Sequence, residues 1–255
     1  MSQNYRGYYG GRPTYTFIGG AGFTRAVKIL VIINAIVFVL QIFDSMAGGN
    51  MFVGSFGLRP AAVTQGFFLW QLVTYIFLHG GFFHILFNMF ALWMFGSELE
   101  RLWGTREFVR FFFVCGIGAG VSTVIASPSS GIPTIGASGA IYGILLAYGL
   151  LFPDRLIYIY GIIPLQAKYF VMLIGGIAFL SSLGASGGGI AHIAHLGGMV
   201  FGYIYLRGGR YMPNLRDYYD RWRRERLRRK FEVYYNRRQD QESRENDENW
   251  RRWKH

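Results

Sequence analysis

Residues 135–152 read IGASGAIYGILLAYGLLF. The stretch carries no charge, and its one serine, Ser138, opens a long apolar run. Serine ahead of an apolar run is the usual start signal of a helix, where its hydroxyl caps free N–H groups. A serine hydroxyl is also a nucleophile, but only when a base elsewhere in the chain takes its proton. Both readings start a helix at Ser138, with further apolar runs before and after it.

The whole chain shares this character. Of 255 residues, 52% are hydrophobic and 18% aromatic, and 35 are glycine. Few soluble domains have such a composition. Several near-continuous apolar segments approach the length of about 20 residues that spans a bilayer. The chain therefore reads as an all-α polytopic membrane protein. Its single cysteine, Cys115, excludes an internal disulfide. Residues 1–24 are rich in Gly and Tyr and lack the apolar core of a cleavable leader, so a disordered arm is expected there. The net charge of +12 is concentrated at the other end. Sixteen of the 26 Lys and Arg lie from Arg207 onward, among nine acidic residues. No nucleic-acid motif accompanies that charge, which argues against a nucleic-acid partner.

Six helices are expected, over residues 26–43, 82–102, 108–126, 138–152, 169–183 and 190–206. A weakly polar stretch, 44–71, separates the first two. Pro128, Pro133, Pro153 and Pro164 all fall between the runs, where they break no helix. With the N-terminus in the cytoplasm, 25 of the 26 cations lie on the cytoplasmic side and Arg59 alone lies outside. The positive-inside rule thus predicts that both termini are cytoplasmic. The loops before the fourth and sixth runs are then outside, and both are short, uncharged and rich in small residues.

Polar side chains within a span are costly, so each asks for a reason. The second run opens HGGFFHILFN over residues 79–88. His84 and Asn88 are four apart and share a helix face. The sixth opens AHIAHLGGMVFG over 191–202, with His192 and His195 three apart. By the expected topology all of these lie in the outer half of the membrane, at about the depth of Ser138. A lone histidine in a span is often only a helix–helix hydrogen-bond donor, and Gly198 and Gly202 form a GxxxG packing face. The coincidence of three spans at one depth favours a site. Zinc binding by His84, His192 and His195 is a competing use, but no HExxH is present and no carboxylate lies in the outer half. No metal and no cofactor is expected.

These residues also carry a resemblance. GASGAIYG (136–143) resembles the GxSGxxYG element of rhomboid intramembrane serine proteases. The spacing of His79, His84 and Asn88 resembles their second-span signature, and that of His195, Gly198 and Gly202 their last-span signature. The resemblance covers roughly residues 26–206. It implies a six-helix rhomboid-like bundle over 25–206, between a cytoplasmic arm (1–24) and a basic cytoplasmic tail (207–255). Ser138 would be the nucleophile and His195 its general base, a dyad without an aspartate. Tyr142, one turn below Ser138, would pack on the imidazole. His84 and Asn88 would donate to the oxyanion, with the N–H of Ser138. Gly198 and Gly202 would let the sixth helix approach the fourth. ERLWG (100–104) resembles the family's ExxxG element, which gives Glu100 and Gly104 a structural role. One departure is visible: the family often has Trp-Arg in the first outer loop, and this chain has Trp70-Gln71, which lacks the charge and forked donors of arginine.

The implied activity is endopeptidase cleavage of transmembrane segments of other membrane proteins, in a bacterial inner membrane. Hydrolysis needs water, hence a cavity open to the outside, and the small-residue loop 181–189 suits a lid. A substrate helix hides its peptide bonds and must unwind, so helix-weakening residues should favour cutting. The other partner is the bilayer itself, with anionic lipid on the basic tail. Two rivals are weaker. A non-cutting relative would lack the serine or the histidine. A transporter would spread polar groups through the membrane depth or repeat its halves.

Overall fold

The computed structural model describes residues 22–159, 163–182 and 189–208. Helix α1 spans Arg25–Met46. The second apolar run forms α5 (Phe82–Ala91), a π-helical turn over Leu92–Gly96 and α6 (Ser97–Trp103). Helix α7 spans Thr105–Ala126, α8 Ser138–Leu151, α9 Ala167–Ser182 and α10 Gly189–Gly208. Each expected run is helical, with ends displaced by a few residues. Among the described residues, Arg25–Met46, Phe82–Trp103 and Thr105–Ala126 are long and apolar enough to cross a membrane. Helices α8 and α9 are apolar but shorter.

Two features correct the expectation. The stretch 44–71 is not simply a loop. It holds α2 (Met51–Phe56) and α3 (Pro60–Gly66), and its last residue opens α4 (Gln71–Thr74), which a 3₁₀ turn over Tyr75–Phe77 continues. The all-α reading is also incomplete. Strands β1 (Leu156–Ile159) and β2 (Ile163–Gln166) pair antiparallel between α8 and α9, with Tyr158 opposite Pro164. The β-branched and aromatic LIYI suits a strand. Proline is tolerated in β2 because a two-stranded ribbon has only edge strands.

Helices α7, α8 and α10 pack on one another, and α9 lies against α8 and α10. Small residues line these contacts, as lipid-exposed bundles require for close approach. Ala119, Ala140, Ala147 and Ala194 are buried, while Ile29, Ile36, Leu40 and Phe43 of α1 are exposed. Large apolar side chains fill the core as well, among them Phe95, Phe108, Phe111 and Phe112, each at most 2% exposed.

The junction of α1, α6 and α7 is tied by one carboxylate. Glu100 is buried and accepts from Ala26 N (2.9 Å), Val27 N (3.0 Å), Thr24 Oγ1 (2.5 Å) and Thr105 Oγ1 (2.7 Å). The two N–H groups belong to the first turn of α1, which has no intrahelical partners for them. Gly104 follows with φ +83°, turning the chain into α7. Glu100→Ala should cost about 3 kcal/mol, because it strands the buried Ala26 and Val27 N–H groups that the carboxylate accepts. Glu100→Gln should cost less, since one oxygen still accepts. Thermal unfolding of the detergent-solubilised protein measures both, and an unshifted midpoint for the alanine variant would show that α1 is held by other means.

The first loop is anchored by the residue that departs from the family pattern. Gln71 is fully buried. Its Oε1 accepts from Arg59 N (3.0 Å) and its Nε2 donates to the Ser55 carbonyl (3.2 Å). Trp70 Nε1 donates to the same carbonyl (3.0 Å). A neutral amide thus does by donating and accepting what a forked cation could do only by donating.

Candidate functional site

The site is assembled where the loop before α8 meets α5 and α10. Gly136 N donates to the Tyr75 carbonyl (2.9 Å), and the Tyr75 hydroxyl donates to the Gly116 carbonyl (2.6 Å). This buried tyrosine pins the loop to α7. Gly136 has φ +123°, and a Cβ there would lie 2.8 Å from His84 Nε2. Conformation and space both require glycine at this point.

Ser138 is the first residue of α8, and the cap position belongs to Ala137. No side chain caps this helix. The capping reading of Ser138 is therefore corrected: its hydroxyl sits one residue too far along the chain and faces α10 instead. Ser138 Oγ lies 2.8 Å from His195 Nε2. The Tyr142 ring stacks on the His195 imidazole, centroids 4.1 Å apart and planes 6° from parallel. His195 Nδ1 is buried without a hydrogen-bond partner, and the His192 ring stands edge-on at 5.8 Å.

Close contact between α8 and α10 makes this meeting possible. A Cβ on Gly198 would run into the Gly139 carbonyl, and one on Gly202 would lie 3.3 Å from Gly143 Cα. The two glycines of α10 thus face two glycines of α8.

His84 approaches from α5, and Asn88 lies one turn further along the same helix. His84 Nδ1 accepts from Gly80 N (3.2 Å). A ring nitrogen that accepts carries no proton, so the neutral imidazole bears its proton on Nε2, the atom beside Gly136. Asn88 is buried with Nδ2 unpaired. His79 lies in the turn before α5, buried, its ring edge-on to His84 at 5.0 Å.

Chemically, this is a hydroxyl bonded to an imidazole that an aromatic face holds in one orientation, with the His84 ring beside Gly136. Such a set can transfer the hydroxyl proton as oxygen attacks an electrophile. Glu100 and Gly104 are not part of it and lie at the helix junction. Among the described residues, no group of three or more His, Cys, Asp or Glu is placed to hold a metal ion. Residues 183–188 of the expected lid, 1–21 of the arm and 209–255 of the tail lie outside the described residues. Sequence reasoning misses Tyr75 and Gln41. Tyr75 looks like any core aromatic, but Gln41 is a polar residue inside an apolar run, the same signal that singles out His84 and Asn88.

Residues 67–210, just over half of the chain, match the family model described as Rhomboid domain. The chain is 29% identical over 199 residues to the Rhomboid protease GluP of Bacillus subtilis (strain 168), covering 77% of this chain and 35% of that protein. It is 29% identical over 140 residues to Rhomboid protein 1, mitochondrial, of Saccharomyces cerevisiae, covering 53% and 40%. It is 28% identical over 190 residues to the mouse Presenilin-associated rhomboid-like protein, mitochondrial, covering 72% and 48%. The chain thus spans between a third and a half of the length of these relatives.

Proposed function

Because the chain belongs to the rhomboid family, we propose that this integral membrane protein is a serine endopeptidase that cuts transmembrane segments of other membrane proteins. The observation that carries the reading is the 2.8 Å contact between Ser138 Oγ and His195 Nε2. His195 takes the Ser138 proton as Oγ bonds to the scissile carbonyl carbon, and the carbonyl electron pair moves onto its oxygen. His84 Nε2–H, the Asn88 amide and the Ser138 N–H donate to that oxyanion, beside the positive end of α8. The pair returns, the C–N bond breaks, and His195 gives its proton to the leaving amine. Water, deprotonated by the same imidazole, then attacks the Ser138 ester; the acyl C–Oγ bond breaks, His195 returns the proton to Ser138 Oγ, and the carboxyl product leaves. Tyr142 replaces a third charged member by holding the ring, which avoids burying a carboxylate.

The short α8 supports the depth of the site. Its 14 residues rise about 21 Å, against roughly 30 Å of hydrocarbon. With both termini cytoplasmic, as the cation distribution favours, Ser138 lies below the outer lipid surface, where the reaction requires that water reach it from outside. The functional domain is 25–206 in this reading, and the basic tail, 207–255, adheres to anionic lipid of a bacterial inner membrane.

The test uses purified protein in liposomes with a single-span substrate bearing Gly or Pro near its outer end. Cleavage within that segment, and fluorophosphonate labelling mapped to Ser138, are expected, both indifferent to chelators. Probe labelling elsewhere, or none together with an intact substrate, would overturn the reading.

A further inference from the structure

A buried amide of the first helix reaches the turn that leads into α5. Gln41 lies in α1 among the lipid-facing Leu40, Ile42 and Phe43 and is itself 9% exposed. An amide in such surroundings is costly unless its groups are paired. Both are paired, and with one residue. Gln41 Oε1 accepts from His79 N (2.9 Å), and Gln41 Nε2 donates to the His79 carbonyl (3.3 Å). The pairing is side chain to main chain, so the identity of the His79 ring plays no part in it.

The second of these bonds has a consequence one atom away. The His79 carbonyl and the Gly80 N–H belong to one peptide group. That group is planar and trans, so its two polar ends point in opposite directions. Gln41 holds one end, and the other donates to His84 Nδ1 (3.2 Å). Gly80 and Gly81 follow in sequence and give the turn no stiffness of their own. An external clamp is needed if the peptide plane is to stay aimed at His84. A hydrogen bond at the carbonyl also polarises the N–H of the same peptide group and strengthens its donation.

We propose that Gln41 is a positioning residue, which locks the His79–Gly80 peptide plane so that His84 is held as the Nε2–H donor. The inference rests on the protease reading, in which that proton meets the oxyanion. Gln41 touches neither the substrate nor the reacting atoms. It acts through one peptide group and one imidazole, and links the first helix to the site.

The test is a double-mutant cycle on the full chain in liposomes, with Gln41→Met and His84→Ala. Methionine keeps the volume and removes both hydrogen bonds. Gln41→Met should lower kcat about tenfold with KM unchanged. In the His84→Ala background the same change should cost less than about twofold, since nothing remains to be positioned. Equal losses in both backgrounds would show a merely structural role and overturn the proposal. If Gln41→Met does not fold, the wild-type protein still decides. With ¹⁵N-labelled histidine, NMR should find His84 neutral with its proton on Nε2, and an Nδ1–H tautomer would overturn the proposal. A wild-type protein that neither cuts the substrate nor takes the probe would sink the protease reading and this assignment with it, an outcome distinct from either failure above.

Discussion

Ser138→Ala should abolish cleavage of a transmembrane substrate, with a loss of about 10⁴-fold or more in kcat. The hydroxyl is the nucleophile that forms the acyl-enzyme in the proposed reaction, and alanine has no oxygen to take its place. His195→Ala should lose nearly as much, because a serine without a base keeps its proton. The two losses should not add. A group that gives its proton and the group that takes it act as a unit, so the double variant should be no worse than either single one. Stability should respond differently. The Oγ–Nε2 bond is one partly buried hydrogen bond, so Ser138→Ala should shift unfolding by only about 1 kcal/mol. Initial rates in liposomes and thermal midpoints in detergent separate the two effects. A Ser138→Ala enzyme within tenfold of wild type would end the dyad assignment.

Some of this layout is legible in the chain itself, and some is not. Long apolar runs predict the helices, because a membrane helix must satisfy its own backbone over about 20 residues. The spacing of His84 and Asn88 puts them on one face of α5 by helix geometry alone. Short elements escape this logic. Helices α2 and α3 span six and seven residues, too few to show a period. LIYI is as apolar as a span, four residues show no clear period, and Pro164 reads as a simple break. Whether Ser138 caps α8 or begins it depends on one residue of register, which no pattern in GASGAIYG settles. The Gln41 contact joins residues 38 apart through backbone atoms that every residue has, so no side-chain motif can announce it. The 2.8 Å between Ser138 and His195 depends on the separation of α8 and α10. Glycines permit that separation, and the rest of the packing sets it.

That dependence makes Gly198→Ala the most severe test of the architecture. A methyl group at this position would collide with the Gly139 carbonyl oxygen. Backbone cannot swing aside as the end of a long side chain can, so α10 must move away from α8. His195 sits three residues before Gly198 on the same face of α10 and moves with it. Tyr142 belongs to α8 and stays behind, so the imidazole loses its stacking partner as well as its distance to Ser138. A displacement near 1 Å at a proton-transfer contact costs about a hundredfold in rate. Overpacking a close helix contact costs a further 1–3 kcal/mol or so in stability. Gly198→Ala should therefore lose both kcat and thermal midpoint, unlike Ser138→Ala, which should lose kcat with only a small change in midpoint. Gly176 of α9 is the matched control, since a Cβ there meets nothing within 4 Å. Gly176→Ala should leave both quantities unchanged or raise the midpoint slightly, as alanine favours helix. If Gly198→Ala instead kept full activity, the approach of α10 to α8 could not be what brings His195 to Ser138. The contact at Gly139 would then have to be relieved by some movement that spares the dyad.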